Sequence, residues 1–386
     1  MIDKFRRAIH AGGTLLGIGV VSENVVLATL KAAEENPNIP FIFIASRRQI
    51  ECDEFGGGYV NNWSTQAFSD YLAGRKVPNN IFLERDHGGP WQGPYSTEQG
   101  ISFSDSVQLS KKSFFVDIDS GFDILHIDPS LTGDFEVSDH ERELALQYLY
   151  AETYEYAKMR NKEIYFEVGT EEQSESVDES HRTLELVRNL KDFTKKNKLP
   201  DPIFLVAQTG TKVREDKNVG ELAKASDEKR VDQLKNQLRN IVEQCEAHAV
   251  YLKAHNMDYL DEEKLKLVNK AGVHAINVAP EFGVIETKAL EELLKSNGLN
   301  NSWFRFEELA VESGFWKKWF VDEGTDLRKA FVCGHYIFSL EEVREIIRDA
   351  QKNLLSRGTN LQEIIQNSLS SSINGYLRNL NLAPGL

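Results

Sequence analysis

The chain has 386 residues and a formal net charge of −15, and 27% of its residues are charged. This length suits one large barrel or two to three domains, and a hydrophobic share of 41% is ordinary for a globular protein. The acidic charge argues against non-specific nucleic-acid binding, which needs a basic surface to displace counterions. An anionic small-molecule ligand stays compatible, because a local pocket can differ in sign from the whole surface.

The three cysteines are scattered and form no CxxC pair, so we expect neither disulfides nor a cysteine-type zinc site. The first residues, MIDKFRRAIH, are too polar for a signal peptide. No apolar run reaches the length that spans a membrane. We therefore expect no membrane contact and a reducing, cytoplasmic setting.

Eight short apolar runs alternate with longer amphipathic segments. The runs are TLLGIGV (14–20), PFIFIA (40–45), NIFLER (80–85), FDILHI (122–127), EIYFEV (163–168), IFLVA (203–207), AVYLKA (249–254) and HAINVA (274–279). Most are rich in β-branched or aromatic residues and nearly continuous, which is typical of strands covered on both faces. They predict eight buried, parallel strands.

Helical patterns lie between these runs, at 22–34, 138–160, 179–196 and 228–247. The second begins with Ser138 and Glu141, which have the spacing of a capping box. Eight strands that alternate with helices predict an α/β protein with a (β/α)8 TIM barrel over residues 1–300, rather than an open sheet. Residues 301–386 are mostly helical in pattern, and we expect a C-terminal extension packed on the barrel.

Polar side chains follow nearly every predicted strand, at the end where such barrels carry their chemistry. Strands three, five and seven contribute to one side-chain layer, and they supply His87, Glu167 and His255. Two imidazoles and a carboxylate suit a catalytic divalent metal, with Zn²⁺ as the first candidate. Glu171 is the alternative to Glu167 as the carboxylate ligand.

The remaining strand ends predict catalytic and substrate-binding groups. Asp86 lies beside the predicted metal as a base, and Glu171 is a second group for proton transfer. Asp128, at the end of strand four, faces the same space and joins them in the predicted catalytic set. The residues assigned to substrate binding are Ser46, Arg47, Arg48, Gln208 and Asn277.

Several of these residues also have structural interpretations. Arg47 and Arg48 could pair with Glu51 or Asp53 instead of gripping an anion. Asp86 could cap the helix that follows. The glycines after His87, in DHGGPW, would let the loop turn sharply without a side chain over the metal.

Two further histidines lie inside predicted strands. His126 is in FDILHI and His274 begins HAINVA. We interpret both as packed, hydrogen-bonded histidines rather than metal ligands.

The order of these segments resembles the class II sugar-bisphosphate aldolases, whose metal-dependent barrels make or cleave a bond next to a ketose carbonyl. The positions that match motifs of that family are Asp86, His87, Asp128 in HID, Glu167 in EVG, His255 and Asn277 in NVA. The closer resemblance is to the tagatose-bisphosphate aldolase non-catalytic subunits. That family has patterns similar to RRQIECDEFGGGY, DHGGPW, HIDPS, VGTEE, QTGTKV and KAHNMDY, in the same order over residues 14–345.

The chain departs from both families at particular strand ends. The sixth strand ends in AQTGTK, where class II aldolases carry another metal-binding histidine. NMDYL replaces the glycine-serine phosphate loop after strand seven, and NVAPEF lacks the threonine of the phosphate-gripping motif. GTEEQ and NMDY stand where the non-catalytic family usually has GTEVP and STDY. These departures count against a bisphosphate substrate and identify a divergent member.

The resemblance implies a metal-dependent aldolase or lyase that acts on a phosphorylated or anionic sugar through an enediolate. A non-catalytic subunit that stabilises a separate class II aldolase is the alternative, and the missing strand-six histidine favours it. A sugar-phosphate isomerase or epimerase would use the same chemistry and is a further alternative. The resemblance also implies a homo-oligomer or a complex with an aldolase subunit.

Overall fold

Eight parallel strands form a closed barrel, which confirms the predicted fold class. The computed structural model describes residues 1–94, 100–131, 136–169, 175–177, 180–322 and 324–383. Its strands are β1 (Leu15–Gly19), β2 (Phe41–Ser46), β3 (Ile81–Asp86), β4 (Ile124–Ile127), β5 (Tyr165–Val168), β6 (Phe204–Val206), β7 (Val213–Arg214), β8 (Lys217–Asn218), β9 (Tyr251–Ala254) and β10 (Ala275–Val278). Strands β7 and β8 form a separate antiparallel hairpin after β6, and the other eight close the barrel.

Each predicted apolar run overlaps one barrel strand, and β1 pairs with both β2 and β10 to close the ring. The helices are α1 (Ile2–His10), α2 (Glu23–Glu35), α3 (Thr65–Ala73), α4 (Phe103–Asp119), α5 (Asp139–Met159), α6 (Ser180–Asn197), α7 (Glu221–Lys224), α8 (Glu228–Ala247), α9 (Glu262–Lys270), α10 (Pro280–Ser296), α11 (Asn300–Glu312), α12 (Asp326–Cys333), α13 (Glu341–Leu355) and α14 (Leu361–Asn379). The capping box of Ser138 and Glu141 at the start of α5 is present as predicted. None of the helices in the described residues is long and apolar enough to cross a membrane.

Helix α1 closes the N-terminal end of the barrel. Phe5 is fully buried there, and its ring centroid lies 5.1 Å from that of Phe82 and 6.1 Å from that of Phe204. These rings join Leu15 and Ile124 in an apolar layer inside the barrel. The polar side chains of the interior are therefore confined to the opposite end, where the strands finish.

The C-terminal helices pack against the outside of the barrel. Helix α14 lies against α2 and α10. Its buried face includes Leu369 and Ile373, which belong to the same apolar cluster as Ala28 of α2 and Leu290 of α10. The three cysteines are free and buried, so the predicted lack of disulfides is confirmed.

Candidate metal centre

Three imidazoles and one carboxylate meet at the C-terminal end of the barrel. They belong to Asp86, His87, His126 and His255, and one ligand-competent atom from each lies within 4.8 Å of the others. The sequence predicted three of these four residues at a common site. His126 is buried in β4 and hydrogen-bonded, as we interpreted it. Its ring centroid also lies 5.1 Å from that of His87 and 5.3 Å from that of His255, which makes it a further candidate for the site.

The loop after β3 presents His87 in an unusual backbone conformation. His87 has a φ of +47°, in the left-handed region that few residues other than glycine adopt. Its backbone N–H donates to Nδ1 of His126 over 3.2 Å, and the N–H of Gly88 donates to the His126 carbonyl over 2.9 Å. These bonds to β4 hold the imidazole of His87 over the barrel mouth.

The two glycines after His87 serve close approach rather than a sharp turn, which corrects our expectation. Neither has a positive φ. A Cβ on Gly89 would lie 1.7 Å from the carbonyl oxygen of Asp128, and one on Gly88 would lie 2.4 Å from the ring of Phe114. Any side chain at these positions would push the loop away from β4.

Asp128 orients His87. Its Oδ2 lies 2.6 Å from Nδ1 of His87, and it also accepts from Nε2 of Gln92 over 3.0 Å. Burial alone would raise the pKa of Asp128, but the bond with His87 outweighs it and lowers the pKa to about 2. Burial would lower the pKa of His87, but Asp86 and Asp128 raise it to about 9. The proton on Nδ1 therefore faces Asp128, and Nε2 faces the other imidazoles.

His255 faces His87 from the opposite side of the barrel. Its Nδ1 lies 3.3 Å from Nε2 of His87, and its Nε2 lies 2.9 Å from Oε1 of Glu167. Tetrahedral zinc with Zn–N bonds near 2.05 Å separates two nitrogen ligands by about 3.3 Å. Burial lowers the pKa of His255, which favours the neutral, ligating form of the ring.

Glu167 lies behind His255 and is fully buried. Its Oε2 lies 2.7 Å from Nζ of Lys253, and the same ammonium contacts Oε1 of Glu84. Burial alone would raise the pKa of Glu167, but Lys253 and His126 hold it well below its usual range. Both oxygens of Glu167 are thus engaged by His255 and Lys253. Our prediction of Glu167 as a direct metal ligand stays a prediction: its oxygens and those of Glu84 and Asp86 form a second group that could hold an ion, and Glu167 also contacts His255.

Lys253 and Glu84 are functional-site candidates that the sequence analysis missed. Both are fully buried inside the barrel. The signal was present in the sequence, because AVYLKA and NIFLER each place a charged residue inside an otherwise apolar run. Burial and the neighbouring Glu167 raise the pKa of Glu84 above its usual range, while Lys253 acts in the opposite direction.

The balance of buried charge fits a divalent cation. The site buries four carboxyl groups, those of Glu84, Asp86, Asp128 and Glu167, against the single ammonium of Lys253. Acidic groups therefore outnumber basic ones in this buried cluster, and the raised pKa of His87 reflects the surplus of negative charge around it. Buried charges are stable only when they are paired or bound to a metal. One divalent ion would neutralise this excess.

Asn277 joins the cluster as its neighbour on the last strand. Its Nδ2 lies 3.2 Å from Oδ1 of Asp86 and 3.0 Å from Nε2 of His255. A Cβ on Gly17 of β1 would lie 2.3 Å from Oδ1 of Asn277, so the glycine leaves room for this amide. Asp86 itself is ionised: burial would raise its pKa, but His87, His126 and His255 hold it far below its usual range.

The other predicted substrate-binding residues lie in different settings. Ser46 ends β2 and pairs in register with Asp86, which places it at the barrel mouth. Gln208 follows β6 and is half-buried. Arg48 is exposed, and its Nη2 lies 3.5 Å from the carbonyl oxygen of Trp91. Glu171, predicted for proton transfer, lies outside the described residues.

Arg47 is fully buried beneath the loop that carries His87. Its Nε lies 2.5 Å from Oε2 of Glu51, and its Nη1 donates to the carbonyl of Gly89 over 2.9 Å and to Oγ of Ser110 over 3.3 Å. These contacts agree with the structural alternative, in which Arg47 pairs with Glu51, and they fix the loop that carries His87. The predicted role of Arg47 in substrate binding stays a prediction.

Comparison with known proteins identifies related folds. No family model matches the chain, and no curated protein matches its sequence. A probable tagatose 6-phosphate kinase from Sinorhizobium meliloti has a TM-score of 0.76 at 15% identity, over 95% of this chain and 100% of that chain. The chain shares that protein's fold. At this identity the likeness shows the barrel fold alone.

Two enzymes of sugar metabolism share the same fold more distantly. A fructuronate-tagaturonate epimerase from Cohnella laeviribosi has a TM-score of 0.54 at 13% identity, over 96% of this chain and 81% of that chain. A fructose-bisphosphate aldolase from Campylobacter jejuni has a TM-score of 0.53 at 11% identity, over 99% of this chain and 94% of that chain.

Proposed function

We propose that the protein is a divalent-metal-dependent aldolase or related carbon–carbon lyase that acts on an anionic sugar. The observation that supports this most directly is the cluster of three imidazoles and Asp86 at the C-terminal end of the barrel. Imidazole-rich sites with a nearby carboxylate suit Zn²⁺, which is the ion we expect. His87 and His255 would hold it, with His126 as the third imidazole.

The cluster contains a third imidazole although the sequence lacks the histidine expected after strand six. Class II aldolases carry a metal-binding histidine at the end of the sixth strand, where this chain has Gln208. In the structure His126 supplies an imidazole to the same cluster from β4. The cluster therefore has three imidazoles, and that of His126 also accepts the backbone N–H of His87 at Nδ1.

A bound divalent ion would polarise the donor carbonyl of the sugar and stabilise the enediolate. The chain itself provides the groups for proton transfer and binding. Asp86 is ionised beside the imidazoles and is the group placed to take a proton from the carbon next to the carbonyl. Asn277, beside Asp86 and His255, remains our candidate for substrate binding. Glu171 remains our candidate for the second proton transfer.

The contacts of the loop after β9 indicate how many anionic groups the sugar substrate carries. Barrels of this fold often bind phosphate between the loops after the last two strands and a helix N-terminus. Here Oδ1 of Asp258 accepts the backbone N–H groups of Ala279 and Glu281, both over 2.9 Å, at the start of α10. A buried carboxylate of the chain thus occupies the position that a phosphate would take. We propose a substrate with a single anionic group, held at the end of β2 near Ser46 and Arg48.

Metal analysis and a substrate panel test the proposal. We expect about one divalent ion per chain in the wild-type protein, and loss of that ion in His87→Ala and His255→Ala. His140→Ala, at an exposed position on α5, is the matched control and keeps its metal. Bound metal that survives both site substitutions would refute the site. In the panel, sugar acids and monophosphates are compared with bisphosphates, and we expect no gain in affinity from a second phosphate.

A second candidate is a non-catalytic subunit that stabilises a separate class II aldolase. Gln208 in place of the strand-six histidine and the blocked phosphate position both favour it. Co-purification with such an aldolase, and a rise in that subunit's melting temperature without turnover by this chain alone, would support it. An isomerase or epimerase using the same chemistry would instead interconvert ketoses in the panel without cleaving a carbon–carbon bond.

A further inference from the structure

Lys253 lies inside the barrel, directly below the metal cluster. It is two residues before His255 on β9, so both side chains point into the barrel. Its ammonium is fully buried between Glu84 and Glu167. Burying such a charge is costly, and a well-packed apolar residue of similar volume is often more stabilising. Stability alone therefore gives no reason for a lysine at this position.

The contacts of Lys253 connect it to one candidate ligand. The ammonium binds Oε2 of Glu167 over 2.7 Å. The other oxygen of Glu167, Oε1, lies 2.9 Å from Nε2 of His255. Nε2 also lies 3.0 Å from Nδ2 of Asn277, but the carboxylate is nearer and charged. We therefore place the ring proton on Nε2, toward Glu167, which leaves Nδ1 of His255 as the ligand atom. That Nδ1 is the atom 3.3 Å from Nε2 of His87.

We propose that Lys253 is a positioning residue of the metal centre, which anchors Glu167 so that Glu167 holds Nδ1 of His255 toward the ion. This inference rests on the metal site of the proposed function. Without the ammonium, Glu84 and Glu167 would face each other with no cation between them. Glu167 would lose its anchor, and His255 would lose the acceptor that sets its orientation.

Metal affinity provides the test, without any need for a substrate. Lys253→Met keeps most of the side-chain volume and removes the charge. We expect its Zn²⁺ affinity, measured by competition with a chromophoric chelator, to fall by about 10- to 100-fold, as for other partners of metal-binding histidines. The visible absorption of the Co²⁺ form should change as well, because the geometry at His255 changes. Lys264→Met is the matched control: it removes the charge of a lysine on α9 that is only 7% exposed, and we expect it to keep wild-type affinity.

A double variant shows whether a loss of metal affinity is caused by misfolding. Lys253→Met with Glu84→Gln removes one charge of each sign, and circular dichroism checks its fold. We expect the same loss of affinity as in Lys253→Met. Wild-type affinity and an unchanged Co²⁺ spectrum in either folded variant would overturn the inference, as would an equal loss in Lys264→Met. A wild-type protein that binds no metal would instead refute the proposed function.

Discussion

His87 combines an unfavourable backbone conformation with a closely controlled side chain. A φ of +47° at a histidine costs on the order of 1 kcal/mol and persists only where surrounding contacts enforce it. Those contacts are the bonds of the His87 and Gly88 amides to His126, and the bond of the imidazole to Asp128. The ring is therefore oriented before any ligand arrives, which is what a metal centre requires.

Gly89 offers a test of this arrangement at a single position. Gly89→Ala would place a Cβ 1.7 Å from the Asp128 carbonyl oxygen, so either the loop or β4 must move. We expect a loss of about 2–4 kcal/mol in unfolding free energy, together with weaker metal binding. Urea denaturation and chelator competition measure the two effects.

Gly74→Ala is the control for Gly89→Ala. Gly74 follows α3 with a φ of −71°, and its nearest neighbour to a new Cβ is 3.5 Å away. We expect this substitution to change stability little or to increase it. Equal effects at the two glycines would contradict the close approach at Gly89.

At the scale of elements, a buried carboxylate joins α10 to the start of α2. Glu286 of α10 is 1% exposed. Ser22, the N-cap of α2, donates to Oε2 of Glu286, and Asn24 donates to Oε1 over 2.7 Å. Burial raises the pKa of Glu286 to about 7 even though these bonds act in the opposite direction. This contact therefore responds to pH.

Glu286→Gln should remove part of the pH dependence of stability. Between an unfolded pKa near 4.3 and the folded value of about 7, the folded chain keeps a proton that the unfolded chain releases. The contribution of Glu286 is therefore full at low pH and is lost as the pH rises toward 7. We expect the variant to gain up to about 3 kcal/mol relative to wild type between pH 5 and pH 8, as measured by urea unfolding.

The exposed Glu292, on the same helix, supplies the comparison for Glu286. We expect Glu292→Gln to differ from wild type by the same amount at both pH values. A constant difference between Glu286→Gln and wild type would contradict the assignment of a proton to Glu286.

At the scale of the whole molecule, the C-terminal helices share the core of the barrel. Leu369 of α14 is fully buried in the cluster that contains Ala28 of α2 and Leu290 of α10. Tyr376, further along α14, donates to Oε2 of Glu281 over 2.6 Å, close to the end of β10. We propose that residues 301–386 are an extension that folds with the barrel rather than a separate domain.

Cooperative unfolding tests this organisation. Leu369→Ala should lower the unfolding free energy by about 2–5 kcal/mol through the cavity it leaves, and the whole chain should still unfold in one transition. Far-ultraviolet circular dichroism and tryptophan fluorescence should give coincident curves. Ser371→Ala, at an exposed position on the same helix, should leave stability unchanged. Two separate transitions, with only one shifted, would show that the extension folds independently.

The sequence by itself determined the barrel and most of its functional end. Local apolar runs and helical periodicity predicted eight strands, the capping box of α5 and the C-terminal helices, because these signals depend on neighbouring residues alone. The order of the strands then placed Asp86, His87 and His255 at one end, since the carboxyl ends of parallel strands meet there. Asp128 and Asn277 were found for the same reason.

Only the tertiary structure decided which side chains meet inside the barrel. His126 and Lys253 lie in strands whose sequences are apolar on average, and their direction depends on how β4 and β9 pair with their neighbours. The side chain of Arg47 is buried because Glu51 and the Gly89 carbonyl accept hydrogen bonds from its guanidinium. The glycines of DHGGPW are needed because a side chain at either position would clash with the Asp128 carbonyl or the Phe114 ring. These contacts join residues distant in sequence, so no local pattern could reveal them.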